Sequence, residues 1–220
     1  MQITGAIFDM DGTLIDSLGV WDKIWSGFGE TYLGDPSFRP DPVTEKLVRT
    51  TELYKGMAIV HERSGIGESG ASLLAHLRRI CEVYYAEEVQ LKAGVREFLA
   101  DCHRCGVKMC IASASPIWLI EPTVKRFAIG QYFSRTVTCD EVGRGKEWPD
   151  VFETAHRYLG TPKETTWIFE DSITAIETAV RAGYNTVGVY DKHGFNEDRA
   201  AEIATVFIGE GVSFTELLSK

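Results

Sequence analysis

Ile3-Thr4-Gly5-Ala6-Ile7-Phe8-Asp9-Met10-Asp11-Gly12-Thr13 decides how the rest of the chain is read. Ile3, Ala6, Ile7 and Phe8 make a short apolar run that ends in a Gly-containing turn, the pattern of a buried strand. Asp9 and Asp11 flank Met10 at what the pattern makes the C-terminal end of that strand. Open α/β sheets bind their ligands at that end. Two carboxylates gathered there are costly unless something positive joins them, most simply a hard divalent cation. The other reading is a turn in which Asp, Gly and Thr are chosen for turn geometry.

Working outward, a chain of 220 residues holds one domain, or one domain with an insertion. With 44% hydrophobic and 25% charged residues it has the composition of a globular protein. A net charge of −9 argues against nucleic acid or an anionic membrane as partner. It leaves room for an anionic substrate, because a local cation and one lysine can dominate a site. No basic stretch followed by a long apolar one opens the chain, and no apolar run is long enough to span a bilayer. The five cysteines are odd in number and irregularly spaced, which predicts reduced thiols and a cytoplasmic protein. Cys102-His103-Arg104-Cys105 is a single CxxC without a second pair. Cys102 continues Val95, Phe98 and Leu99 at helical spacing, so it reads as a core cysteine before a zinc or redox ligand.

After the opening stretch the pattern turns helical. Val20, Trp21, Ile24, Trp25 and Phe28 share one helical face, and Gly34 to Pro42 breaks the run. Val43 to Thr50 and Glu52 to Arg63 read as short helices, and Leu73 to Tyr85 as a longer amphipathic one. No strand is predicted between Leu14 and Gln90. From Leu91 helices and strands alternate. Strands are predicted at Val107–Ala112, Arg135–Cys139, Thr166–Phe169, Thr186–Val189 and Thr205–Ile208. A helix over Val95–Cys105 closes at Gly106, Pro122 opens another that runs to about Ala128, and Phe214–Leu218 is a last helical turn. Such alternation predicts an α/β fold with a doubly wound, mostly parallel sheet. The expected organisation is an α/β core of residues 1–14 and 92–220, interrupted by an all-helical insertion of residues 15–91.

Asp9-Met10-Asp11-Gly12-Thr13-Leu14-Ile15-Asp16-Ser17 resembles the first motif of the haloacid dehalogenase (HAD) superfamily of phosphohydrolases. Three later stretches match that family's further motifs in order. The strand ending at Ala112 runs into Ser113-Ala114-Ser115, where the family has Ser or Thr; by itself this is also a common Ser-rich strand end. Gly145-Lys146-Glu147-Trp148-Pro149-Asp150-Val151-Phe152 matches Gly-Lys-x-x-Pro-Asp-x-Phe, with Glu147-Trp148 where common members carry Pro-Ala. Without those flanks Lys146 would read as a solvated surface lysine. Trp167-Ile168-Phe169 leads into Glu170-Asp171-Ser172; acids after an apolar strand suit a Mg²⁺ site, whereas Asp171 or Ser172 could also cap the next helix. The helical insertion resembles the cap of the subclass that includes phosphoglycolate phosphatases and β-phosphoglucomutases.

The resemblance implies a Rossmann-like HAD core and phosphoryl transfer through an aspartyl-phosphate. Asp9 is then the nucleophile and Asp11 the general acid/base. Ser113, the Ala114 N–H and Lys146 hold phosphoryl oxygens. Mg²⁺ is held by Asp9, the Asp11 main-chain carbonyl and Asp171, with Glu170 a further candidate, directly or through water. The implied substrate is a small phosphorylated metabolite, hydrolysed as a phosphate monoester. True dehalogenases lack the second aspartate of the first motif, so Asp11 disfavours dehalogenation. A phosphomutase and a non-catalytic binding protein are the alternatives. The β-phosphoglucomutases carry a cap histidine shortly after the nucleophile; this chain has Trp21 there and no histidine between Asp9 and His61, which favours a hydrolase. In the insertion Trp21, Trp25, Arg49, Lys55, His61 and Arg63 could meet a substrate, and each also reads as a packing or solvated residue.

Overall fold

The computed structural model describes residues 2–49, 51–194 and 197–219. By its internal contacts the chain divides into two compact units, Met1–Leu18 with Val89–Lys220, and Gly19–Glu88.

The first unit is built on a six-stranded sheet. Its strands are β1 (Gly5–Phe8), β4 (Lys108–Ser113), β5 (Phe133–Thr138), β6 (Thr166–Glu170), β7 (Asn185–Val189) and β8 (Val206–Ile208). Their order is β5-β4-β1-β6-β7-β8 and all the pairings are parallel. β1 lies at the centre and all four of its residues are buried, as expected of an apolar run with no polar alternation. The helices of this unit are α5 (Val95–Arg104), α6 (Ile117–Arg126), α7 (Cys139–Val142), α8 (Asp150–Leu159), α9 (Ile173–Arg181) and α10 (Glu197–Ile203). This is the doubly wound, Rossmann-like α/β arrangement.

The period of two along each strand sorts side chains onto two faces. Ile7, Cys110, Val137 and Ile168 pack with Val151, Phe152 and Ala155 of α8 and Ala175 and Ala179 of α9. On the other face Phe8 stacks on Phe169 with centroids 4.4 Å apart, and Phe98 of α5 tilts against Phe169 and Phe214 at 5.5 and 5.6 Å. Cys102 is a buried residue of α5, and burial pushes its thiol up to about 12, which fits the core reading of the CxxC. Past α5, Gly106 takes φ +77°, a left-handed turn that a side chain would resist.

Some elements differ from the sequence pattern: Cys139, which that pattern places at the end of a strand, starts α7, and α10 is additional to it. A strand exists between Leu14 and Gln90 after all. β2 (Ile15–Asp16) pairs antiparallel with β3 (Gln90–Leu91), and two residues are too short a run to show alternation. Pro122 does not open its helix but lies inside α6, which starts at Ile117 behind Pro116. The carbonyl of Pro116 accepts from Leu119 and Ile120, so the helix is already initiated before Pro122. Buried Leu119, Ile120 and Thr123 hold it across the one main-chain donor that Pro122 lacks.

Among the described residues, the regular elements of the second unit are helices: α1 (Val20–Leu33), α2 (Pro42–Arg49), α3 (Leu53–Ser64) and α4 (Gly70–Glu87). The expected end of α2 at Thr50 lies outside the described residues. Asp41 accepts from the N–H groups of Val43 and Thr44 and so caps α2. A reciprocal Ser69/Ser72 capping box starts α4. Ile24, Trp25, Phe28, Val48, Met57, Val60, Leu73 and Leu77 form the core of this unit.

Candidate active site

The register of the central strands brings the acids together. Phe8 is paired with Phe169 across β1 and β6, so the next residues, Asp9 and Glu170, follow side by side at the C-terminal ends. The N–H of Asp9 donates to the Phe169 carbonyl at 2.9 Å and fixes that adjacency. Asp9 has the parity of Ile7, and Glu170 that of Ile168, so both carboxylates leave the sheet on the face covered by α8 and α9. Lys146 arrives on that same face, in the turn between α7 and α8. Its Nζ stands 2.5 Å from Asp9 Oδ1 and 2.5 Å from Glu170 Oε1. Glu170 Oε2 accepts from the Ser172 N–H at 2.7 Å, so Glu170 ties the lysine to the start of α9.

Asp171 completes the group. Thr13 Oγ1 donates to Asp171 Oδ1 at 2.8 Å, which links the first motif to the fourth. Neither Ser172 nor Asp171 is spent on a helix cap: Ser172 makes no side-chain cap bond at α9. Gly12 must be glycine for two reasons. Its φ is +77°, and a Cβ there would stand 2.5 Å from Asp171 Oδ2.

Carboxylate oxygens of Asp9, Glu170 and Asp171 all lie within 4.8 Å of one another, and these residues are only 6%, 0% and 7% exposed. Burial raises the carboxyl of Asp171 well above its ordinary range, and the charges of Glu170 and Asp9 push it further, against the Thr13 hydrogen bond. Burial also raises Glu170, with Lys146 opposing. Burial alone would lower Lys146, but Asp9 and Glu170 outweigh it and hold the ammonium firmly charged. Three buried carboxylates thus face one ammonium. A divalent cation fits this excess of negative charge, and the all-oxygen donor set is that of a hard ion.

Asp11 faces elsewhere. Its carboxylate is not in the acidic cluster; Ser17 Oγ and Ser115 Oγ donate to its two oxygens. Ser113 is buried at the end of β4, next to β1 in the sheet. Its Oγ accepts from the Ser115 N–H at 3.1 Å, which leaves its own proton available to an incoming oxygen. Ala114 follows in an exposed bend. Cys139, at the start of α7, lies in the field of Lys146 and Asp9, and burial pushes its thiol up to about 11.

The structure therefore gathers Asp9, Lys146 and Asp171 directly, and places Asp11 in the turn after β1 and Ser113 and Ala114 at the end of the neighbouring β4. It adds Thr13, Ser17, Ser115 and the lysine-holding role of Glu170. Thr13 and Ser17 stand within the first motif, yet their partners are visible only in three dimensions. In the helical unit, polar candidates are engaged locally. Trp21 stacks on Trp25 at 5.5 Å, Trp25 Nε1 donates to Glu45, His61 Nδ1 meets the Ile66 carbonyl, Arg63 donates to Thr44, and Lys55 pairs with Glu52.

Known proteins share this architecture. A family model described as haloacid dehalogenase-like hydrolase matches residues 6–189. Protein CbbY of Rhodobacter capsulatus is 30% identical over 211 residues, covering 91% of each chain. Hexitol phosphatase B of Escherichia coli O157:H7 is 27% identical, covering 100% of this chain and 96% of its own. Among solved structures, CbbY from Rhodobacter sphaeroides in complex with phosphate superposes with a TM-score of 0.76 at 22% identity, over 93% of both chains.

Proposed function

This chain belongs to the haloacid dehalogenase-like hydrolases, enzymes of the phosphohydrolase and phosphomutase class, and has their helical cap; from that premise we propose that it is a Mg²⁺-dependent phosphatase of a small phosphate monoester. The observation that carries the reading is Asp9, buried, in contact with Lys146 and beside Asp171. Asp9 attacks phosphorus in line and forms an acyl phosphate as the ester P–O bond breaks. Asp11 gives its proton to the leaving oxygen, then takes one from the water that attacks phosphorus and frees Asp9. Ser113, the Ala114 N–H and Lys146 hold the other phosphoryl oxygens, with Lys146 kept in place by Glu170. Mg²⁺, held by Asp9, Asp171 and the main-chain carbonyl of Asp11, would supply the positive charge that lets anionic substrate and carboxylates meet. Most of the rate gain is then positioning and charge stabilisation.

The runner-up is a β-phosphoglucomutase-like phosphomutase. Trp21 argues against it: it replaces the mutase histidine, its ring is stacked on Trp25, and its ring nitrogen only donates. Names of relatives such as hexitol phosphatase put phosphorylated sugars and sugar alcohols first among the esters to screen.

Hydrolysis of p-nitrophenyl phosphate tests the reading. Activity should vanish with EDTA and return with Mg²⁺, and full activity in metal-free protein would sink the metal assignment. With β-glucose 1-phosphate and a trace of the bisphosphate, free phosphate should appear and little glucose 6-phosphate. Glucose 6-phosphate accumulating without phosphate would establish the mutase instead.

A further inference from the structure

Asp11 is gripped from two sides. Ser17 Oγ donates to its Oδ1 at 2.7 Å and Ser115 Oγ to its Oδ2 at 2.6 Å. Ser17 is buried just past β2, and Ser115 lies 104 residues after Asp11, in the bend after β4. None of the four motifs assigns Ser115 a part. We propose that Ser115 is a positioning residue, which fixes the plane of the Asp11 carboxyl against the leaving-group oxygen and couples it to the phosphate-binding turn. This rests on the reading of Asp11 as the acid/base.

The terminal torsion of Asp is broad, so one hydrogen bond leaves the carboxyl free to tilt. A second bond, to the other oxygen, removes that freedom. Both distances are in the short range of charge-assisted O–H···O⁻ bonds. A hydroxyl also suits a partner that changes its protonation, because it can donate to the carboxylate and accept from the acid. Ser115 is itself held. Its N–H donates to Ser113 Oγ at 3.1 Å, and Pro116, at φ −70° and ψ 150°, fixes the direction of the chain behind it. Ser113-Ala114-Ser115 thereby serves both ends of the scissile bond. Ser113 and the Ala114 N–H address the phosphoryl oxygens, and Ser115 aims the acid at the ester oxygen. In the first step the Asp11 O–H bond breaks and its proton goes to that oxygen. In the second, water returns a proton to Asp11. Ser115 keeps its own proton throughout.

Two esters separate positioning from simple loss of structure. An alkyl ester such as glycerol 2-phosphate needs its leaving oxygen protonated; p-nitrophenyl phosphate does not, because its phenolate leaves as an anion. The ratio of kcat/KM, alkyl over aryl, should fall by about tenfold or more in Ser115→Ala. Ser115→Thr, which keeps the hydroxyl, should restore the ratio. Asp11→Asn gives the limit of a missing acid. An unchanged ratio, or an equal loss on both esters, overturns the proposal. A second readout does not need turnover. The Asp11 side-chain carboxyl resonance in ¹³C NMR, identified by its absence in Asp11→Asn, should move in Ser115→Ala and stay in Ser115→Thr. A resonance indifferent to Ser115→Ala refutes the grip. If the grip is seen while no phosphate ester is hydrolysed, the phosphatase reading fails and the proposed coupling to a leaving group fails with it.

Discussion

In the α/β unit four ionisable side chains, Asp9, Lys146, Glu170 and Asp171, meet in a nearly dry patch at the ends of β1 and β6. In the helical unit the ion pairs Lys23–Glu88, Arg39–Asp22, Lys55–Glu52 and Arg78–Glu82 all lie at the surface, with side chains 41–60% exposed. Among the described residues of that unit, Thr44 is the one polar side chain buried as deeply as the acids. Burying charge is costly unless it is paired. The α/β unit carries this cost at the Lys92–Asp191 pair and at the ends of β1 and β6, and at the latter its carboxylates outnumber their cationic partner. The helical unit folds on apolar packing and helix caps and avoids the cost altogether. A chain accepts such local conflict where function requires it.

The largest expected effect is at the centre of the charged patch. Asp9→Asn removes the nucleophile, so turnover should drop by on the order of 10⁴-fold or more. It also takes one of three crowded carboxylates away while leaving Lys146 its bond to Glu170. In metal-free buffer the variant should therefore unfold at a temperature no lower than the parent. Denaturation scans with activity measured in parallel check both halves. A clear loss of stability would mean that the acids are not in excess. After brief exposure to acetyl phosphate, intact-mass analysis should find a phosphoryl adduct on the parent and none on Asp9→Asn.

Lys146→Met tests the same balance from the cationic side. Leaving Asp9 and Glu170 buried without their partner should cost about 3–5 kcal/mol of stability in EDTA. Activity should fall by about 10²–10³-fold, the usual consequence of losing one donor to a transferring group. Urea denaturation and steady-state kinetics measure the two losses. A variant as stable as the parent would show that the acids are protonated in the resting protein and that no conflict exists there.

Much of this contrast is legible in the sequence, for a physical reason. Asp9, Lys146 and Asp171 lie at strand ends or in a turn just before a helix, inside runs whose apolar period locates those ends. The helical unit is legible through its 3.6-residue period alone, as at Val20, Ile24 and Phe28. What stays hidden are bonds between distant segments. Thr13 meets Asp171 across 158 residues, and Ser115 meets Asp11 across 104. Hydroxyl residues are so common in turns that nothing local marks these. Short elements hide too. β2 has two residues, and the start of α6 was masked by Pro122, the more conspicuous signal in that helix.

The smallest expected effect closes the comparison at the surface of the helical unit. Lys23 Nζ stands 3.0 and 2.8 Å from the two oxygens of Glu88, within hydrogen-bonding range as the 2.5 Å contacts of Lys146 are. Distance alone would rank the two lysines nearly alike. Environment separates them: Lys23 and Glu88 are 52% and 48% exposed, so water competes for both charges and salt screens them. Holding two long side chains together also costs rotamer entropy. The Lys23 ammonium lies 6.0 Å from the centre of the Tyr84 ring as well, so a single Lys23→Ala would mix two contacts. A double-mutant cycle with Lys23→Ala and Glu88→Ala isolates the pair. Its coupling energy should be about 0.2–1 kcal/mol and should shrink further in high salt. A coupling of several kcal/mol, or one indifferent to salt, would show that the helical unit also relies on charges withdrawn from water, and the contrast between the units would fail.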